Sequence, residues 1–404
     1  MRVVIIADFA EPSGGGQAVA IQSAVALAGR GVPVTYIHGL PETPDPRLAA
    51  SGVDTVGLGL RDIWALGAAR GAAAGIWRRQ AAKRLAAAIA ALPAGPTVLH
   101  LHQWTRSLSP AALPVILGSP HPVVLTLHDY SAACPNGVYF RFDQGEPCRL
   151  RPLSGGCLAA PCDPQSSAHK AVRVLRTVAM RHAIGRGGFA VIHVSDRGRE
   201  TVSPFLPAGL RHYRLDNPVE AVRGRPTQPL PGARIAFIGR LTREKGADLV
   251  AAASRAAGIG AVFIGEGPAE AEIRRLAPAA EITGWRSRGE IQRLLVEGVL
   301  AVAAPSRWYE TGPLTVYEAL AAGVPAVVSA RAGASEKVVH GETGLVVQPT
   351  VPALTDAFAS LTIGNAAGRM GRLAYDRYWE APLDAVAHVE GLVAIYAELL
   401  AGRV

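Results

Sequence analysis

The chain has 404 residues, enough for two or three domains. Hydrophobic residues make up 49% of it but aromatics only 6%, so Ala, Val and Leu must fill the core, as in α/β layers where small-residue helices cover parallel sheets. No apolar run reaches the ~18–20 uncharged residues of a membrane span, and the opening MRVVIIADF reads as a strand without a signal-peptide pattern, so a cytoplasmic protein is expected.

The net charge is +9, from 41 basic and 32 acidic residues. Basic side chains concentrate in two helical stretches, Arg61 to Arg84 and Arg173 to Arg186. They suit peripheral contact with anionic headgroups on the inner face of a membrane, or a lipid diphosphate, or simply a solvated face. Nucleic acid is not an expected partner, since no nucleic-acid module is recognisable.

In chain order, Val3 to Ala7 reads as a buried strand. A loop, Ser13-Gly14-Gly15-Gly16, follows and opens a helix from about Gln17 to Ala28. Glycines ahead of a helix leave backbone N–H groups free to meet an anion. Val32 to His38, Thr97 to His102, Pro122 to His128 and Ala190 to Val194 continue the strands, the last followed by an N-cap at Ser195. Strand-then-helix alternation implies a parallel sheet covered on both faces. The Pro-, Arg- and Gly-rich stretch 217–232 reads as a linker between a domain at 1–216 and a second at 233–380. Strands restart at Arg234 and recur at Ala261, Glu281, Val299, Ala326 and Gly344, and a long amphipathic helix fills much of 381–404.

Two strand ends in the first half carry candidate chemistry. Thr126-Leu127-His128-Asp129 closes one, and its imidazole can donate or accept near neutral pH. The alternating Leu-His-Leu-His of the strand before it brings His100 and His102 close. An insert at 130–165 then carries all four cysteines, Cys134, Cys148, Cys157 and Cys162, in turn-rich sequence. A loop this long needs a staple. Four thiols in a reducing compartment suit tetrahedral zinc, though no C-x2-C pair is present; an iron–sulfur cluster, disulfides or free thiols stay open. Tyr130, Tyr139 and Phe140 add aromatic rings suited to stacking on a sugar.

The second half is richer. Phe237-Ile238-Gly239-Arg240-Leu241-Thr242-Arg243-Glu244-Lys245-Gly246 sets two cations just after a strand, where they can neutralise a diphosphate. Gly265-Glu266-Gly267-Pro268 makes a tight turn after the next strand, and Thr283-Gly284-Trp285-Arg286 follows a third. Most informative is Leu300 to Ala334: a strand, a loop, a short helix opened by Pro313 and closed at Gly323, and another strand. Its loop, Glu310-Thr311-Gly312-Pro313-Leu314-Thr315, aims backbone N–H groups and the positive end of the helix at one spot. Glu310 and Glu318, eight positions apart, flank that spot and can bind hydroxyls.

Together the E-x7-E spacing, the G-R-L-x-x-x-K-G run, the G-x-G-P turn and the T-x-H-D strand end resemble the retaining glycosyltransferases of family GT4 over most of the chain. The resemblance implies an α/β GT-B fold: two Rossmann-like βαβ domains facing each other across a cleft, with the last helix crossing back to the first domain. It implies transfer of a hexosyl or related group from a nucleotide-diphosphate sugar to a glycan or lipid-linked glycan in bacterial polysaccharide synthesis. Arg240 and Lys245 would grip the diphosphate beside the loop Gly312, Pro313, Leu314 and Thr315, whose N–H groups other than at the proline face it. Gly14, Gly15, Gly16 and Gly267 would approach the donor, Trp285 and Arg286 its base, and Glu310 and Glu318 its sugars. His128 would stand at the reacting centre, with His102, Tyr130 and Tyr139 on the acceptor side. No D-x-D motif appears near the nucleotide residues, so no cofactor is expected in catalysis. A nucleotide-sugar epimerase or phosphorylase on the same fold, and a non-catalytic nucleotide-sugar-binding protein, are the alternatives.

Overall fold

The computed structural model describes residues 1–185 and 187–402. The chain forms two compact units. The first comprises Met1–Asp143, Cys148–Pro218 and the C-terminal stretch from Ala385; the second comprises Val219–Asp384 with the short piece Gln144–Pro147.

Unit 1 is built on seven strands: β1 (Arg2–Ala7), β2 (Val34–His38), β3 (Asp54–Gly57), β4 (Thr97–Leu101), β5 (Val123–Leu127), β6 (Ala190–His193) and β7 (Arg211–Arg214). Their spatial order is β3-β2-β1-β4-β5-β6-β7, all parallel. The central strands β2, β4 and β5 are buried at every position and β1 at every position but Arg2, as in a parallel sheet covered on both faces. Helix α1 (Gly15–Gly29) packs Ala20, Ile21, Ala24 and Leu27 on the sheet. Helices α2 (Ala68–Ile76) and α3 (Ser167–Ile184) lie together elsewhere in the unit.

Unit 2 has six strands: β8 (Arg234–Ile238), β9 (Ala261–Ile264), β10 (Glu281–Gly284), β11 (Val299–Ala304), β12 (Ala326–Ser329) and β13 (Gly344–Val347). Their order is β10-β9-β8-β11-β12-β13, again all parallel. Helices α4 (Ala247–Ala257), α5 (Arg288–Gly298) and α6 (Leu314–Ala322) fill three of its crossovers. Both sheets are Rossmann-like. In each, the first strand is flanked by strands leaving in opposite directions, which opens a crevice at its carboxyl end: β1/β4 in unit 1 and β8/β11 in unit 2.

The stretch expected to be a linker is laid on unit 2 instead. Val219 is buried in its core, Thr227 N donates to Ala322 O at 2.9 Å, and Tyr375 Oη donates to Gly224 O. The last helix, α7 (Ala385–Gly402), is long and apolar enough to span a membrane by length and composition. Its Val389, Leu392, Ile395, Tyr396 and Leu399 are buried in the core of unit 1, however, so an apolar face that would suit lipid is used within the protein.

Candidate functional site

In unit 2 the crevice at β8/β11 gathers the charged residues. Gly246 opens α4 in a left-handed conformation at φ 79°, and a Cβ there would lie 2.5 Å from Pro305 O. Arg307 N donates to Glu244 O at 2.8 Å, and the Arg307 guanidinium forks onto Asp248 at 2.6 and 2.7 Å. The loop after β8 is thereby clamped on the loop after β11. Lys245 is carried to Glu310: Nζ to Oε1 is 2.6 Å, with the side chains 21% and 9% exposed. Ser306 Oγ donates to the other Glu310 oxygen. Beyond Glu310, helix α6 begins after the N-cap Pro313, and no side chain caps it. Its first-turn amides are thus available to an anion. Gly312 is close-packed, since a Cβ there would meet Tyr317 Oη at 3.0 Å.

The other glutamate is also engaged. Arg288, the first residue of α5, donates Nε and Nη2 to Glu318 Oε1 at 3.1 and 2.7 Å and pairs through Nη1 with Glu220. Arg240 is exposed, and its guanidinium makes no hydrogen bond or ion pair with a described residue. Trp285 is 74% exposed, an unusual position for so large an apolar ring. Arg286 pairs with Glu290 within the capping box that starts α5. Gly265 and Gly267 owe their residue type to backbone on backbone. A Cβ on Gly265 would lie 2.1 Å from Gly239 O, and one on Gly267 would lie 2.4 Å from Leu241 O.

In unit 1 the crevice at β1/β4 holds histidines. Gly14 caps α1 in extended backbone with no side-chain cap, so the amides of its first turn are open as well. A Cβ on Gly16 would lie 3.0 Å from His128 Cγ and 2.7 Å from Gln103 Nε2, so this glycine permits the loop to touch the histidine. His128 Nε2 lies 2.9 Å from His102 Nδ1, and the His102 ring lies beside that of His100. His100 in turn contacts Thr126 Oγ1 at 2.7 Å and Tyr396 Oη at 2.6 Å. Burial, aided by neighbouring histidines, pushes these imidazoles down: His128 to about 4, His100 to about 3 and His102 well below its usual value. All three are therefore neutral at pH 7. Burial pushes the Asp129 carboxyl up, partly offset by the Ser131 N–H it accepts. Asp8, just past β1, accepts from Ser107 N, Ser107 Oγ, Leu108 N and Arg106 N at 2.6 to 3.0 Å and fixes the loop after β4.

The structure corrects several expectations. Tyr130 and Tyr139 offer no stacking face: they are 1% and 4% exposed and pack edge-on against each other at 5.3 Å. Phe140 is buried too. His102 is 2% exposed behind His128, which makes it a support for that residue rather than an acceptor contact. Among the described residues no group of three or more His, Cys, Asp or Glu side chains is placed to hold a metal ion. Instead the Cys134 thiol donates to Asn136 Oδ1 at 3.0 Å, and Lys170 Nζ donates to Cys162 Sγ at 2.8 Å. A buried ammonium thus sits on one of the four sulfurs, and none of the four cysteines is in a disulfide. Of the second basic stretch, Arg186 lies outside the described residues. Ser306, Arg288 and Asp8 were missed in the sequence. The first could have been suspected from its place four residues before Glu310, but pairing over the 30 positions from Arg288 to Glu318 leaves no local signal.

Two Rossmann-like units, each with its polar side chains at the strand-order reversal, define the GT-B fold class. Solved glycosyltransferases share it. A glycosyltransferase from Rickettsia africae ESF-5 is 15% identical with a TM-score of 0.68, covering 99% of each chain. Anabaena HepE, solved in complex with UDP and glucose, is 16% identical with a TM-score of 0.66, covering 99% of this chain and 100% of its own. Within unit 2, residues 220–375 match the family of glycosyl transferases group 1. The glycogen synthase of Mycobacterium tuberculosis H37Rv is 33% identical over 175 residues. That match covers 39% of this chain and 42% of the relative, less than half of either. Unit 2 thus carries a glycosyl transferases group 1 domain.

Proposed function

We propose that this chain is a retaining glycosyltransferase of the GT4 type. Its donor is a nucleotide-diphosphate sugar and its acceptor a glycan or lipid-linked glycan. The observation that carries the reading is the uncapped start of α6 beside the Lys245–Glu310 pair. A diphosphate there meets aligned amides and two cations, Lys245 and the unpaired Arg240. Such fixed donors stabilise negative charge as it develops on a leaving group. Glu318, already held by Arg288, is oriented to accept from ribose hydroxyls. Trp285 presents a face for the base.

As the C–O bond to the diphosphate breaks, the sugar takes on oxocarbenium character. The acceptor hydroxyl then attacks from the face the diphosphate leaves, and the departing phosphate oxygen takes its proton. That route preserves the anomeric configuration and needs no covalent nucleophile. His128 is held neutral, so it can hydrogen-bond a sugar hydroxyl without adding charge to the cationic transition state.

A thermal-shift panel of UDP-, GDP- and ADP-sugars tests the donor half. Saturation at ~100 times Kd stabilises a fold by about 2.7 kcal/mol. Lys245→Ala should lose that shift, while Glu310→Ala should lose transfer more than affinity. No shift with any nucleotide sugar would refute the reading, and turnover without an acceptor would replace transfer by epimerisation or phosphorolysis.

A further inference from the structure

A second cavity lies in unit 1, away from the histidines. It has a volume of about 270 Å³ and runs between α2 and α3. Gly67, Gly71 and Gly75, spaced by four, line the α2 side; a Cβ on Gly71 would lie 2.4 Å from Ile63 O and one on Gly75 3.5 Å from Ile63 Cδ1, so these two let α2 pack closely on Ile63, while Gly67 faces open space. Ile63, Trp64, Ala72 and Val172 supply apolar walls. Trp64 is 49% exposed, and the neighbouring Leu175 and Val178 of α3 are 54% and 49% exposed. Helices bordering a groove offer no free backbone edge for an extended peptide. The volume corresponds to roughly ten methylene-sized groups, taking the ~30 Å³ share of a liquid water as the yardstick.

One end of the groove is cationic. Arg173 and Arg176 line it. Arg173 is occupied, pairing with Asp163 at 3.2 Å. Arg176 makes no hydrogen bond or ion pair with a described residue; Asp129, Asp8 and Asp163 are felt only through space. Burial, and then the neighbouring Arg173 charge, push the half-buried guanidinium down to about 10. Leaving such a group unmatched is costly, and a phosphate matches it bidentately.

We propose that this groove binds the tail of a prenyl phosphate, with the phosphate on Arg176, so that the acceptor is lipid-linked. A channel of apolar walls ended by an unpaired guanidinium is the complement of that amphiphile. The word acceptor rests on the glycosyltransferase reading; the binding site itself does not.

The test uses the full chain without any nucleotide. Farnesyl monophosphate is titrated below its micellar concentration and read by Trp64 fluorescence, with Trp64→Phe as the signal control. Binding should be weakened about tenfold or more by Arg176→Gln. It should be abolished by Ala68→Phe, which fills the groove from an exposed position. Farnesol and inorganic phosphate should each bind far more weakly. Equal binding of farnesol and farnesyl monophosphate, or affinity unchanged in Ala68→Phe, overturns the proposal. The UDP-sugar thermal shift, measured on the same variants, should be unchanged. If the unsubstituted chain binds no farnesyl monophosphate while its UDP-sugar shift is present, only this inference falls; if it binds farnesyl monophosphate but shows no shift with any nucleotide sugar, only the donor reading falls.

Discussion

Replacing Lys245 by Met leaves the Glu310 carboxylate, 9% exposed, facing Ser306 but without a counter-charge. Removing one partner of a buried pair costs ~3–5 kcal/mol; because the Lys245 side chain still reaches water, the low end applies, about 3 kcal/mol. For a unit of this size that lowers the melting midpoint by roughly 6–12 °C. Glu310→Gln should cost less, about 1 kcal/mol, since the ammonium can turn to solvent and Gln can still accept from Ser306. The double variant carries no stranded charge and should be close to Glu310→Gln alone. The coupling in the cycle is then about 3 kcal/mol in magnitude. Chemical denaturation of the four proteins measures it, and a nucleotide titration on each separates stability from binding. Affinity should stay low in the double variant, because restoring neutrality does not restore a cation for the diphosphate. Strictly additive stability costs would show that the two side chains do not share a site, and the donor geometry would fall with them.

Three further outcomes follow from named contacts. Gly16→Ala pushes a methyl into Gln103 Nε2 and His128 Cγ; turnover should fall at least tenfold with a melting change under a few degrees, and an unchanged kcat would separate the glycine loop from His128. The histidines predict acid sensitivity. The folded pKa of His100 is depressed to about 3 against an ordinary value near 6.5, so its contribution is complete above pH 6.5 and is lost as the pH falls towards 3. Between pH 7 and pH 5 that loss is about 2 kcal/mol for this one residue, and denaturant midpoints across that range should show a shallower slope in His100→Gln. Trp285→Ala should leave the melting point within about a degree, because the ring is 74% exposed, while raising Kd for the nucleotide several-fold; equal affinity would mean the ring does not meet the base.

Much of the second unit was legible because its chemistry is local. The helix from Leu314 to Ala322 starts after a proline and ends at Gly323, whose φ of 77° needs no side chain. Lys245 and Gly246 sit beside each other, and the glycine alone permits the contact with Pro305 that delivers the lysine. The aromatics of the insert at 130–165 were misread for the opposite reason. They suggested an exposed surface, but whether a ring is exposed depends on what packs over it. Tyr139 is turned inward, edge-on against Tyr130.

The sequence alone determined the α/β class, the alternation of strand and helix, and the places where backbone amides lie open, because these follow from near neighbours along the chain. Only the tertiary structure decided that β1 lies beside β4 and β8 beside β11, and so where the crevices open. It alone paired Glu318 with Arg288, buried the imidazoles until they stayed neutral, and left Arg176 without a bonded partner. Those outcomes depend on strand order and on which surfaces exclude water, and both are set by residues far apart in the chain.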